Sequence, residues 1–291
     1  MEASMVIQGR SLNAKDIGMI QDLLAEHGDW GRTRLSKELC SLWDWRNGVG
    51  RIKDMAARTL LLKLERMGRI QLPASRGKAP HSFLNQDLPL IEHDTTPIHC
   101  SLADLQPLSV EIISPHSPEL PLFNGLLNCY HYLGHRNTVG ENIRYLLRDR
   151  VGQPLACLLF GSAAWKCAAR DVFIGWGPAL RERNLPFLTN NTRFLILPWV
   201  TVPHLASHIL SSVVRRIRSD WQAKYGHPLY ALETFVDRDR FQGTCYRAAN
   251  WLPLGMTQGR TRNDRHNCIR VSAKEVYLYP LIKNFRRGLC G

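Results

Sequence analysis

The sequence predicts an α/β protein in two parts: a small helical module, then a mixed sheet flanked by helices. Three observations carry that reading. Within the first 80 residues, apolar side chains recur at helical spacing in three short blocks separated by turn residues and glycines. From residue 142 the pattern changes to short apolar runs bounded by turns, with one long amphipathic stretch among them. Between the two lies a block, residues 81–130, with no Lys or Arg, six acids and six prolines.

The helical module is read as follows. In residues 13–27, Ile17, Ile20, Leu23 and Leu24 form one stripe, and Gly28 stops it. Thr33 is expected to cap a short helix through LSKELC, and Asp54 a third helix whose Leu60, Leu61, Leu64 and Met67 recur at helical spacing. Gly68 ends that helix, and RIQLP follows as an extended segment. Three helices and a terminal β-element are the order of a winged helix-turn-helix, whose third helix reads the major groove. Arg46, Arg51, Lys53, Arg58, Lys63, Arg66 and Arg69 surround that helix, a cluster that would neutralise phosphates. The same cluster also fits the solvated face of a protein-interaction domain.

Charge divides the chain in the same places. The formal net charge of +13 over 291 residues is split unevenly: residues 1–80 hold 14 basic and 9 acidic side chains, and 131–291 hold 24 against 10. Prolines 89, 97, 107, 115, 118 and 121 oppose regular helix. The expected organisation is therefore a DNA-binding module at 1–80, an acidic, Pro-rich connector at 81–120, and a second domain at 121–291 with a basic tail. SLADLQPLSVEII, late in the acidic block, would suit an edge strand of that second domain.

Several classes are excluded. With 44% hydrophobic and 22% charged residues, a long disordered chain does not fit. No apolar run approaches a membrane span, and MEASMVIQGRSLNAKD lacks the basic start and apolar core of a signal peptide. A cytoplasmic protein with reduced thiols is expected. Its eight cysteines are scattered, with no C-x₂-C or C-x₄-C pair, so no zinc knuckle is expected.

In the second domain, NIRYLLRD and PLACLLFGS flank the turn DRVGQ as a hairpin, and TRFLILPWV is a buried strand. Next, Leu205, Ile209, Val213, Ile217 and Trp221 fall at i, i+4 spacing, with Ala206, Leu210 and Val214 widening the stripe and Gly226 ending the helix. LYALETFV is a further strand, FQGTCYRAANW a short helix, and LPLGMTQG an extended piece.

This order resembles the GNAT acyltransferase superfamily: hairpin, central strand, long helix, strand, then a helix with a tyrosine, here Tyr246 followed by Trp251. The resemblance implies a GNAT-like domain with Tyr246 at the place of a general acid. It departs where those enzymes cradle the coenzyme A pyrophosphate on a Gly-rich loop. Here that loop runs Trp199-Val-Thr-Val-Pro203-His-Leu-Ala206, without glycine and with one amide lost to Pro203. Coenzyme A is therefore not expected.

A second resemblance covers almost the whole chain. YHYLGHRNTVGENIRYLL, RFLILPWV, LASHIL, DWQAKYG, LETFVD and GTCYRAANWLPLGMTQGRTR are similar to the DruA family of the Druantia anti-phage system, which has relatives near transposable elements. SLWDWR and KDMAARTLLLKLERMGRIQLP belong to the same likeness. It implies a place in defence or mobile-element biology, with DNA and other defence-system proteins as partners.

Candidate chemistry centres on Glu233, which interrupts an apolar strand face and must be paired, protonated or turned to a cleft. Paired, its partner would be an arginine such as Arg247 or Arg193. In a cleft, it would act with Asp237 and Tyr246, although two carboxylates four apart on a strand face are roughly 13 Å apart. His131 and His135 have i, i+4 spacing but enclose Gly134 and lack the acid of the metalloprotease motif. Backbone-bonded histidines at a helix end are the plain alternative. In the tail, Arg260, Arg262 and Arg265, with Tyr277, Tyr279 and Phe285 further on, would track a nucleic-acid backbone and stack bases, or form a solvated basic edge. The leading function is DNA binding. The alternatives are a DNA-processing enzyme using Glu233, Asp237, Tyr246 and the two histidines, with Mg²⁺ if it cleaves, and a GNAT acyltransferase.

Overall fold

The computed structural model describes residues 5–8, 10–74, 91–259 and 272–291. The chain divides into two compact units, Met1–His81 and Ser82–Gly291.

The first unit opens with an antiparallel pair, β1 (Met5–Ile7) and β2 (Arg10–Leu12). Helix α1 (Ala14–Glu26) starts at a reciprocal cap: Asp16 N–H donates to Asn13 Oδ1 at 3.0 Å, and Asn13 N–H to Asp16 Oδ2 at 2.9 Å. Helix α2 (Arg32–Leu42) follows Gly31, so Thr33 lies inside the first turn instead of capping it. The start is anchored by Arg32, whose Nε donates to the Pro73 carbonyl at 2.8 Å. Helix α3 (Asp54–Arg66) is capped by Lys53, which places Asp54 one residue inside, where it meets the positive end of the helix and pairs with Arg58 at 2.9 Å. Ile20, Leu35, Leu39, Ala57, Leu60, Leu61 and Leu64 form the core. The three helices are those the periodicity predicts. The terminal β-element is not found among the described residues. Ile70 and Leu72 are buried, but the Leu72 N–H turns to Glu65 Oε1 at 3.3 Å, not to a strand.

The second unit is a mixed sheet of seven strands in the order β3-β4-β5-β6-β7-β9-β8. It is built from β3 (Ser109–Ile112), β4 (Ile143–Arg148), β5 (Pro154–Ser162), β6 (Leu188–Ile196), β7 (Ala231–Asp237), β8 (Leu252–Met256) and β9 (Lys274–Pro280). Short helix α4 (Leu102–Leu105) precedes β3, and α5 (Leu120–Tyr130) precedes β4. Helices α6 (Ala168–Ile174) and α7 (Pro178–Asn184) lie between β5 and β6. Helix α8 (Leu205–Tyr225) connects β6 to β7, α9 (Thr244–Ala248) follows β7, and α10 (Phe285–Cys290) closes the chain. The predicted stripe of α8 is buried from Leu205 to Trp221, in one core with α5 and the β4–β5 hairpin. A smaller core joins Ile174, Trp176, Phe285 and Leu289 to Leu188, Ala231 and Leu278.

Within the stretch 81–120 read as connector, residues 91–113 pack in this unit, and SLADLQPLSVEII supplies an edge strand. β3 is an edge strand on β4, and Ile98 bridges Val200 in parallel. The tail also differs from its reading. Residues 274–280 form a strand inside the sheet between β7 and β8, with Tyr277 fully buried and Phe285 in the smaller core. These two rings are therefore not available for stacking bases.

Candidate functional site

Strands β6 and β7 are parallel neighbours for three residues only, from Leu188 opposite Ala231 to Asn190 opposite Glu233. Beyond that point they part. The cause is local: the β5–β6 register slips between Leu159/Arg193 and Phe160/Asn191, leaving Thr192 as an extra residue that bends β6 away. Hydrogen bonds hold the fork open where a ladder would have closed it. Asn191 Nδ2 donates to the carbonyls of Leu159 (3.3 Å) and Arg193 (2.9 Å), and its Oδ1 accepts from the Tyr246 hydroxyl at 2.7 Å. The Thr234 hydroxyl on β7 donates to the Asn191 carbonyl at 3.0 Å. The result is a cleft of about 1570 Å³ between the two strand edges, floored by Tyr246 and walled by residues 162–169, 190–196, 234–237 and 241–246.

Glu233 does not line this cleft. It is fully buried against fully buried Arg170: Oε2 accepts from the guanidinium at 2.8 Å, and Oε1 from the Ala164 N–H at 2.6 Å. Arg170 also grips Asp171 through Nε (2.9 Å) and a terminal nitrogen (2.8 Å), and Asp171 accepts from the Trp176 indole at 2.8 Å and Arg181 at 3.2 Å. Burial raises the Glu233 carboxyl above its ordinary value, against the pull of Arg170. Glu233 is thus a paired structural acid, with Arg170 as partner in place of Arg247 or Arg193.

The other candidates fall as follows. Asp237 lines the cleft at the end of β7, where it accepts from the Ser272 hydroxyl (2.9 Å) and the Asp239 N–H (3.2 Å). Tyr246 lines it too; burial holds its hydroxyl well above the usual phenol range, and it donates to Asn191 Oδ1. His131, at the end of α5, faces the cleft and accepts the Leu133 N–H on Nδ1 at 3.1 Å. Burial, with a smaller push from Arg193, brings His131 down to about 4, so its ring is neutral. His135 is also lowered by burial, then by Arg144 and Arg193, and does not line the cleft. Among the described residues no group of three His, Cys, Asp or Glu side chains is placed to hold a metal ion.

In the first unit, Arg51, Arg66 and Arg69 are exposed and Lys63 is half-buried. Arg46 is tied to Asp44 at 2.6 Å, Arg58 to Asp54, and the Lys53 ammonium lies 5.9 Å from the Trp45 ring. Arg260, Arg262 and Arg265 lie outside the described residues.

Sequence reasoning missed the rim of the cleft. Tyr132, Trp165 and Phe241 line it while 37%, 45% and 49% exposed. Tyr132 and Phe241 rings are 5.4 Å apart, and Arg240 lies 5.2 Å from Tyr132. Lys166, Arg193 and Lys274 supply positive charge, against Asp237 as the one lining acid among the described residues. A signal was present in Thr189-Asn-Asn-Thr-Arg193, five consecutive polar residues in a strand whose remaining residues are apolar.

In the loop between β6 and α8 three amides are spent internally: Val200 N–H donates to Leu197 (2.9 Å), Thr201 to Ile98 (2.9 Å) and Leu205 to Val202 (3.3 Å), while Pro203 has none.

Among solved structures, the chain is similar to spermidine N-acetyltransferase from Vibrio cholerae in complex with CoA and spermine, at 8% identity and TM-score 0.40, covering 60% of this chain and 95% of that one. It is also similar to the ribosomal-protein-S18-alanine N-acetyltransferase from Escherichia coli, at 7% identity and TM-score 0.37, covering 60% and 94%. No curated protein matches the chain. The family profile of the Druantia protein DruA matches residues 64–271. Spanning most of the second unit and its cleft, that match places this chain in the DruA family.

Proposed function

We propose that this protein binds DNA in anti-phage defence or mobile-element biology, contacting phosphates from basic side chains of both units. The observation that carries the reading is the net charge of +13 in a member of the DruA family. Exposed Arg51, Arg66 and Arg69 support it in the first unit, and exposed Arg215 and Arg218 on α8, with Arg286 and Arg287 on α10, in the second. The organisation into a DNA-binding module and a larger domain, and partnership with other proteins of the defence system, belong to the same proposal.

The test is fluorescence anisotropy of labelled DNA with the full chain at increasing salt. Neutralising six to eight phosphates gives a log–log slope of about −5 to −7. A slope near zero removes DNA binding as the explanation of the charge.

The DNA-processing alternative loses its central acid, because Glu233 is sealed against Arg170. Any such chemistry would fall to Asp237 at the cleft wall. The acyltransferase reading is opposed by the Val200, Thr201 and Leu205 amides, which the β6–α8 loop spends internally, and by Pro203, which has none.

A further inference from the structure

We infer that the cleft between β6 and β7 receives an unpaired nucleotide, from single-stranded or locally opened DNA. The inference rests on the DNA-binding reading and adds the site and the strand state.

Three features of the cleft converge on this ligand. The first is charge. Lys166, Arg193 and Lys274 line the walls, and among the described residues none of the three has a carboxylate within ion-pair distance. Arg193 is held by carbonyl oxygens alone, those of Gly134 at 2.9 Å and Thr192 at 2.7 Å. The single lining acid among the described residues, Asp237, is buried and already accepts two hydrogen bonds. Such a site favours an anion.

The second is shape. Tyr132, Phe241 and Trp165 are partly exposed at the cleft, with the Arg240 guanidinium over the Tyr132 ring and that of Arg181 over the Trp165 ring. Exposed aromatic rings beside cations are the elements that stack bases while meeting the phosphate backbone. At about 1570 Å³ the cleft exceeds the range of ordinary small-molecule pockets, leaving room for a base with its sugar and flanking phosphates.

The third is hydrogen-bonding capacity at the floor. Past Asn190 and Glu233 the facing edges of β6 and β7 do not pair with each other, and the β6 carbonyls of Asn191, Thr192 and Arg193 take side-chain donors instead. Asn190 lines the cleft, and its buried amide oxygen has no partner among the described residues. Amides and backbone edges are the groups that read the polar edge of a base. Pairing in a duplex spends the Watson–Crick edge of a base and stacking covers its faces, so a nucleotide that gives both to a recess is unpaired.

The test is anisotropy of a labelled oligothymidine and of a duplex of equal length, with the full chain and with Phe241→Ala, Tyr132→Ala and Tyr132→Phe. Both rings are partly exposed, so the alanine variants should melt with the parent. The expected result is a 5- to 150-fold loss of single-strand affinity in each alanine variant. Tyr132→Phe keeps the stacking face and should bind as the parent does, and duplex affinity should stay within about 2-fold. Unchanged single-strand affinity in both alanine variants, with duplex binding intact, overturns the inference and leaves the DNA-binding reading standing. Displacement of the single strand by coenzyme A overturns it as well, assigning the cleft to an acyl carrier. Failure of the parent to bind either form overturns the DNA-binding reading itself.

Discussion

Glu233→Gln should destabilise the second unit, and its size follows from the contacts of Arg170. The substitution keeps volume and an acceptor for the Ala164 N–H, but removes the charge 2.8 Å from the guanidinium. Arginine does not shed its proton, so a full positive charge is left in a fully buried place. Removing one partner of a buried pair costs roughly 3–5 kcal/mol. Arg170 keeps both donors on Asp171 and one on the Ala164 carbonyl, which brings the expected loss to about 2–3 kcal/mol. For a domain of this size, each kcal/mol moves the melting temperature by about 2–4 °C, so calorimetry of the full chain should show a fall of roughly 4–12 °C. The double variant Glu233→Leu, Arg170→Met should lose less than the sum of its singles, because neither charge is then left unpaired. A Gln variant that melts with or above the parent would refute this reasoning and restore Glu233 as a strained cleft acid.

Two further outcomes follow from the cleft and its loop. His131 is held neutral down to about 4 in the fold but titrates near 6.5 when unfolded, so the unfolded chain takes up the proton first. Its contribution is present above pH 6.5 and lost as pH falls toward 4, by at most about 3 kcal/mol and less where solvent reaches the ring. Urea midpoints at pH 7 and pH 4.5 should converge in His131→Gln relative to the parent; equal pH dependence in both would contradict the assignment. Coenzyme A should leave the melting temperature unchanged, since the Val200, Thr201 and Leu205 amides are spent internally. A ligand at a hundred times its Kd stabilises by about 2.7 kcal/mol, a shift easily seen, and seeing it would contradict the reading of the loop.

Much of the fold was legible because local periodicity and burial agree. The stripe of α8, the β4–β5 hairpin and the three N-terminal helices each carry their own pattern within one contiguous stretch of sequence. The features that were not legible depend on distant partners. β9 is flanked by charges and reads as a basic tail until β7 and β8 close on both sides of Tyr277. Arg170 and Glu233 are 63 positions apart, and nothing local in Glu233 names its partner. The RIQLP segment, expected as extended, forms no strand for a related reason: a side chain, Glu65, takes the Leu72 amide that a strand would have used. Asp237 and Tyr246 both line the cleft, bonded to Ser272 and Asn191 and not joined to Glu233. The exposed rings of the rim escaped notice because an aromatic residue in a loop has no periodicity to mark it.

The most direct measurement is photocrosslinking of a 4-thiothymidine oligonucleotide to the full chain, with the attachment sites mapped by peptide mass spectrometry. The account predicts adducts on the peptides that carry Tyr132, Trp165 or Phe241, with the yield falling as salt rises. Adducts confined to peptides away from the cleft, or a yield indifferent to salt, would contradict it.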